Sequence, residues 1–488
     1  MTVKKTSLDP DNWEALRAQG HRMLDDILDY AEHIRERPVW QVIPEEVRAK
    51  FQTKLPGTGS ELSDVHQQFM DNVLPYTVGN SHPGFMGWVH GGGNPVGTVA
   101  EMLAAGLNSN LGGRDQIPIE VERQVTRWVS SLFDFPETAS GLFVTGTSMA
   151  NFIAVLVARA VALGVEVRQQ GLSAFPQKLV AYTSSGAHGC VAQAMDLAGL
   201  GRNALRRIPM NSRFEMDVTA LKIAIQDDIA SGYTPFLVVG TAGSVDVGAI
   251  DDLNAIADVA QAEKLWFHID GAYGALGKLS PAIARRLTGI ERADSIAFDF
   301  HKWLQVPYDA GFILMKDSAA HAATFTTPAS YLRRESKGLA GGSPWPCDFG
   351  PDLSRGFRAL KTWFTLQVYG TDRLGEMIAH TCELAQYLKT KIEATPQLEL
   401  LAPVALNIVC FRYLPADQSD DHVIDALNAN IAVKLQESGI AAPSTTLIHQ
   451  QLAIRAAIVN HRTTVVEIDA LINATITFGD QIQKSGEN

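Results

Sequence analysis

From about residue 80 onward, short apolar runs alternate with stretches of helical periodicity. The runs fall at 141–145, 178–182, 236–240, 265–269, 295–298 and 311–315, with helical patterns at 149–163 and 253–262 among them. Runs of this length are too short for helices and suit strands buried on both faces. The alternation predicts an α/β fold around a mostly parallel central sheet. After Gly370 the pattern becomes that of a small α+β unit, with helices at 373–392 and 422–437 and strands at 406–411 and 453–458.

Ahead of this core, Asp9-Pro10 reads as a helix N-cap followed by proline at the first helical position. Trp13, Leu16, Met23, Leu24, Ile27, Leu28, Ala31 and Ile34 then form one apolar stripe at helical spacing. Such a stripe must be covered, and a second subunit is a natural cover. The proline- and glycine-rich stretch 332–354 lacks periodicity and is expected to be a mobile flap.

The net charge of −12 gives no attraction to nucleic acid or to an anionic membrane, and neither is expected as a partner. No apolar run approaches the length of a bilayer span. The four cysteines, Cys190, Cys347, Cys382 and Cys410, show no CxxC spacing, so no metal site is expected and reduced thiols are the simplest reading. Met1 to Lys5 and the acidic sequence after them lack the apolar core of a signal peptide. A cytoplasmic location is expected.

Chemistry-bearing residues sit where the predicted strands end. Lys302, in Phe300-His301-Lys302-Trp303, has apolar neighbours that disfavour its charged form and favour a nucleophilic amine. A lysine snorkelling from a strand end is the plainer alternative. Asp270 closes Leu265-Trp266-Phe267-His268-Ile269, at the strand terminus where α/β sheets bind ligands. It also reads as a helix cap or a magnesium ligand. Thr145-Gly146-Thr147-Ser148 opens a helix and suits an anion, although a simple Ser/Thr N-cap has the same pattern. His188 follows another strand and could stack on a flat ring or move a proton; a surface histidine is the alternative.

These signals follow one another along the chain as anion site, histidine, aspartate and lysine. Further motifs are His82-Pro83-Gly84-Phe85-Met86-Gly87, Gly240-Thr241-Ala242-Gly243-Ser244, His268-Ile269-Asp270-Gly271-Ala272-Tyr273, Arg355-Gly356-Phe357-Arg358 and Asn460-His461-Arg462-Thr463. With them the chain resembles the group II pyridoxal 5'-phosphate (PLP) dependent decarboxylases, which include the aromatic amino acid and glutamate decarboxylases. The resemblance runs from about residue 8 to about residue 475.

The resemblance implies PLP fold type I, the aspartate aminotransferase-like α/β architecture. It implies an N-terminal helical segment at 1–78 packed on a partner, a large PLP-binding domain at 79–370 and a small C-terminal domain at 371–488. A homodimer with its sites at the subunit interface goes with it. Lys302 would form the imine with the cofactor and Asp270 would bond the pyridine nitrogen. His188 would stack on the ring, with Ala272 against the opposite face. Thr147 and Ser148 would bind the phosphate, with His301 nearby. His82, Phe85 and Trp88 would line the substrate pocket.

The implied reaction is decarboxylation of an L-amino acid, aromatic or aliphatic, to its amine and CO2. Two positions depart from the aromatic members: 332–354 holds no tyrosine, and Ala242 replaces a threonine. The first suggests an alternative outcome, oxidation of the decarboxylated substrate to an aldehyde with release of ammonia and peroxide. Other fold type I reactions, C–S lyase or aminotransferase chemistry, are the remaining enzymatic alternatives. Only Cys347 hints at sulfur handling.

Overall fold

The computed structural model describes residues 6–327, 330, 333–416 and 420–485, so Met1 to Lys5 and Leu332 lie outside the described residues. Twelve strands occur among them. They are β1 (Phe85–Met86), β2 (Ser140–Val144), β3 (Leu179–Ser184), β4 (Leu205–Ile208), β5 (Thr234–Thr241) and β6 (Trp266–Asp270). Then come β7 (Ser295–Asp299), β8 (Gly311–Met315), β9 (Leu398–Leu400), β10 (Ile408–Tyr413), β11 (Ala442–Ile448) and β12 (Gln451–Ala457).

Seven strands form one sheet in the order β2-β8-β7-β6-β5-β3-β4. Only β8 runs against its neighbours. Every residue of β3, β7 and β8 is buried, which explains the unbroken apolar texture of these segments. The fold is α/β of PLP fold type I, with a mostly parallel sheet and a second sheet toward the C-terminus.

That second sheet has the order β1-β11-β12-β10-β9. Its edge comes from far away in sequence, because Phe85 and Met86 pair in parallel with Ala442 and Pro443. The helix Arg358–Glu393 leads into this sheet and breaks at Gly370, where φ is 69°. Only glycine enters that conformation without strain.

The first helix differs from the sequence expectation. It spans Trp13–Glu32 and is capped by Asn12, whose side chain accepts from the amides of Glu14 and Ala15. Asp9 and Pro10 lie before the cap. None of its residues is buried, and Trp13 is 57% exposed. The stretch expected as an open flap also differs. Trp345 is buried, with the Arg334 guanidinium 3.4 Å from its ring centre and that of Arg114 at 4.7 Å. Arg334 also pairs with Asp348 at 2.8 Å, so cation–π contacts and an ion pair pin this part of the loop.

Candidate active site

The parallel strands deliver their chemistry to one edge. Val144 leads into Thr145–Ser148, β3 ends four residues before His188, and β5, β6 and β7 end in Thr241, Asp270 and Asp299. Register aligns Thr241 with Asp270 and Asp270 with Ala297. A cavity of about 380 Å³ opens there, lined by Thr147, Ser148, His188, Asp270, Ala272, His301, Lys302 and Trp88 together. His82 and Phe85, expected in the same pocket, are not among the residues that line it. His82 is buried and its Nδ1 accepts from the Gly84 amide at 2.9 Å. Phe85 packs with Val39 and Ala442 and stacks on His90, so β1 pairing draws it into the second sheet.

Lys302 leans on a carboxylate that the sequence reading left without a role. Its Nζ lies 2.9 Å from Asp299 Oδ2, while Asp299 Oδ1 accepts from the Thr147 amide at 2.8 Å. Burial lowers the lysine pKa, but the Asp299 charge and hydrogen bond, helped by Asp270, outweigh it and leave the pKa raised. The expected depression of this amine is therefore reversed. Asp299 stands three residues before Lys302, a spacing at which one turn lets two side chains meet.

The turn itself is pinned from two sides. A Cβ on Gly91 would stand 2.2 Å from the His301 carbonyl oxygen and 2.5 Å from that of Lys302, so the close approach requires glycine. Gln305 adds a side-chain clamp. Its Oε1 accepts from the Gly92 amide and its Nε2 donates to the Val459 carbonyl, both at 2.8 Å.

Asp270 is buried, with Oδ2 accepting from Asn151 Nδ2 at 3.1 Å and Oδ1 from the Ala272 amide at 3.2 Å. The Cys190 thiol sits 3.8 Å from the same carboxylate, and burial pushes its pKa up to about 12. It therefore remains a thiol. His188 caps the helix Gly189–Leu197, its Nδ1 accepting from the Cys190 amide at 3.1 Å, while its ring faces the cavity. His188 thus caps a helix, a role not read from the sequence, and lines the cavity at once. His301 is held neutral by burial, its pKa lowered to about 4, and its Nδ1 accepts from the Ala310 amide at 3.0 Å.

The residues present fit PLP. At one end the helix Thr147–Leu163 begins without a side-chain cap, and Thr147 Oγ1 is buried with no partner. Unsatisfied donors at a helix start suit a phosphate. A second orphaned hydroxyl, Thr241 Oγ1, also borders the cavity. Ala242 itself brings no hydroxyl, and its neighbour Thr241 places one at the cavity. Asp270 and Lys302 border the same cavity, as a pyridine nitrogen and an aldehyde on one ring require.

Trp88, His90 and Tyr308 form an aromatic rim, with His90 centred 5.8 Å from Trp88 and 6.0 Å from Tyr308. Among the described residues the lining holds no arginine. His90 and Tyr308 carried no signal beyond ordinary aromatic residues, because only the fold draws them to the rim.

The profile of the pyridoxal-dependent decarboxylase conserved domain matches residues 44–414. An aromatic-L-amino-acid decarboxylase of Bacillus atrophaeus is 33% identical over 93% of this chain and 93% of its own length. A phenylacetaldehyde synthase of Arabidopsis thaliana is 27% identical over 92% of this chain and 93% of its own. Among solved structures, the glutamate decarboxylase domain of a Vibrio parahaemolyticus diaminobutyrate-pyruvate transaminase and L-2,4-diaminobutyrate decarboxylase superposes with a TM-score of 0.86. It is 27% identical and covers 97% of each chain.

Proposed function

Because this chain belongs to the pyridoxal-dependent decarboxylase family and is a PLP-dependent carboxy-lyase acting on amino acids, we propose that it takes an L-amino acid with an aromatic or apolar side chain and releases the amine and CO2. The observation that carries the substrate class is the Trp88, His90 and Tyr308 rim in a lining without arginine. An acidic side chain would find no guanidinium partner there.

Bound PLP supplies an electron sink for the pair left behind by the departing carboxylate. Lys302 offers the amine that anchors the cofactor, and Asp299, 2.9 Å away, is the group that takes and returns its proton. Asp270 holds a proton on the ring nitrogen. Thr147, Ser148 and the helix start hold the phosphate, with His301 nearby. His188 and Ala272, both in the cavity lining, would hold the ring between them.

The test is CO2 release from a panel of L-amino acids by the PLP-loaded protein. Aromatic and large apolar substrates should lead; release only from acidic ones overturns the substrate class. A second reading, decarboxylation with oxidation by dioxygen and hydrolysis by water to the aldehyde, ammonia and hydrogen peroxide, is favoured by the absence of tyrosine from 332–354. Peroxide formed in step with CO2 supports it, and a pure amine product excludes it. Tyr308, whose phenol is pushed up by burial and keeps its proton, is the proton source this reading compares. Tyr308→Phe should raise the ratio of peroxide to amine.

The same proposal includes a homodimer, because no residue of Trp13–Glu32 is buried in one chain. It divides the chain into a helical arm at 1–78, a PLP domain at 79–370 and a small domain at 371–488. The free cysteines fit a reducing cytoplasm. Among the described residues no helix is long and apolar enough to cross a membrane.

A further inference from the structure

Behind Asp270 runs a chain of buried polar side chains that the catalytic reading does not use. Trp266 Nε1 lies 2.8 Å from Ser295 Oγ, and Ser295 Oγ lies 2.8 Å from His268 Nδ1. His268 Nε2 lies 2.8 Å from Asn151 Oδ1, and Asn151 Nδ2 reaches Asp270 Oδ2 at 3.1 Å. His268 is 1% exposed and Asn151 likewise. Trp266, His268 and Asp270 alternate along β6, so strand pleating turns all three to one face.

The direction of every bond follows from chemistry. An indole nitrogen can only donate, so Ser295 accepts from Trp266. At the far end a carboxylate can only accept, so Asn151 turns its amide nitrogen to Asp270 and its carbonyl to His268. His268 must then carry its proton on Nε2, which leaves Nδ1 bare to accept from the Ser295 hydroxyl. The other tautomer would set two acceptors against each other at the Asn151 contact. Burial lowers the His268 pKa to about 3, so an imidazolium does not rescue that arrangement. Reversing the asparagine instead would aim its carbonyl at Asp270.

We propose that His268, which accepts from Ser295 at Nδ1 and donates from Nε2 to Asn151, is a positioning residue that holds Asn151 as a donor and thereby keeps Asp270 aimed as an acceptor for the cofactor nitrogen. Successive donors pointing the same way polarise one another in a buried setting. The consequence for the cofactor rests on the functional reading above; the tautomer does not.

Two measurements test it. In the protein without added cofactor, ¹⁵N spectra of the histidine rings should show His268 protonated on Nε2, identified by the signal lost in His268→Gln. A proton on Nδ1 overturns the proposal. PLP affinity, read by quenching of tryptophan fluorescence, should weaken about tenfold in His268→Leu. Glutamine can present an amide donor near the Nε2 position, so His268→Gln should stay within about threefold of the parent chain. Equal affinity in all three chains overturns the relay, as does equal loss in both variants. Should His268→Leu not fold, Ser295→Ala replaces it, with the bare Nδ1 left without its donor, the proton kept on Nε2 by Asn151, and weaker PLP binding expected. Unchanged affinity there also overturns the relay, as does a proton found on Nδ1. A parent chain that binds no PLP while showing the Nε2–H tautomer would refute the functional reading and leave the tautomer standing.

Discussion

The carboxyl edge of the large sheet and the first helix of the same chain are finished to different degrees. At the sheet edge, Asp270, Asp299 and Lys302 each have partners inside the chain, and the strands beneath them are buried. No residue of the helix Trp13–Glu32 is fully buried, and Trp13, Leu16 and Met23, all large and apolar, are exposed. Burying one such side chain contributes about 1.5–3 kcal/mol. A single chain thus assembles the charge arrangement by itself and leaves its apolar arm for another surface to cover.

Breaking the finished region should have the largest effect. Lys302→Ala should lower the rate of CO2 release on the order of 10⁴-fold and abolish the absorbance of the lysine–PLP imine, with the far-ultraviolet dichroism unchanged. Asp270→Asn removes the charge opposite the pyridine nitrogen and should cost on the order of 10³-fold in kcat, measured at saturating PLP.

Acid should separate the two regions further. The pKa of His268 is lowered to about 3 and that of His301 to about 4, each by burial. Their unfolded-state value is about 6.5, so the unfolded chain binds more protons throughout the interval below it. Stability therefore rises with pH across this window and is lost as pH falls from about 6.5 toward 4. Each such histidine contributes roughly 3 kcal/mol to that loss. Urea unfolding between pH 7 and pH 4 measures it. His33, beside Glu36 near the end of the exposed helix, has a raised pKa and contributes in the opposite sense. The smallest effect is expected at the arm. Replacing Trp13, Leu16 and Met23 by polar residues should leave the monomer's unfolding midpoint within about 0.5 kcal/mol per site. Sedimentation should nonetheless show the dimer weakened. An unchanged dimer would mean that the stripe faces something else.

The buried strands were legible because two-sided burial writes continuous apolar runs, and observed and expected bounds of the central strands agree within two residues. Strand β4 escaped notice because it lies at the sheet edge and carries Arg206 and Arg207. Arg206 stays there by pairing with Asp228 at 2.7 Å. Strand β1 was unreadable for a different reason: two residues join a sheet whose other strands lie beyond residue 397, and no local pattern encodes that pairing. Within the site, Lys302, Asp270 and the Thr147–Ser148 turn were visible as polar groups ending apolar runs. Asp299 was overlooked as a partner although it precedes Lys302 by three residues. His268 looked like part of an apolar run, yet its two-residue offset from Asp270 already put both on one face of β6.

The Gln305 side chain ties the lysine-bearing turn both to Gly92 and to Val459, two residues past the last strand of the C-terminal sheet. Mechanically this is a three-way rivet. A displacement of the C-terminal layer would therefore pull on the same turn that carries Lys302.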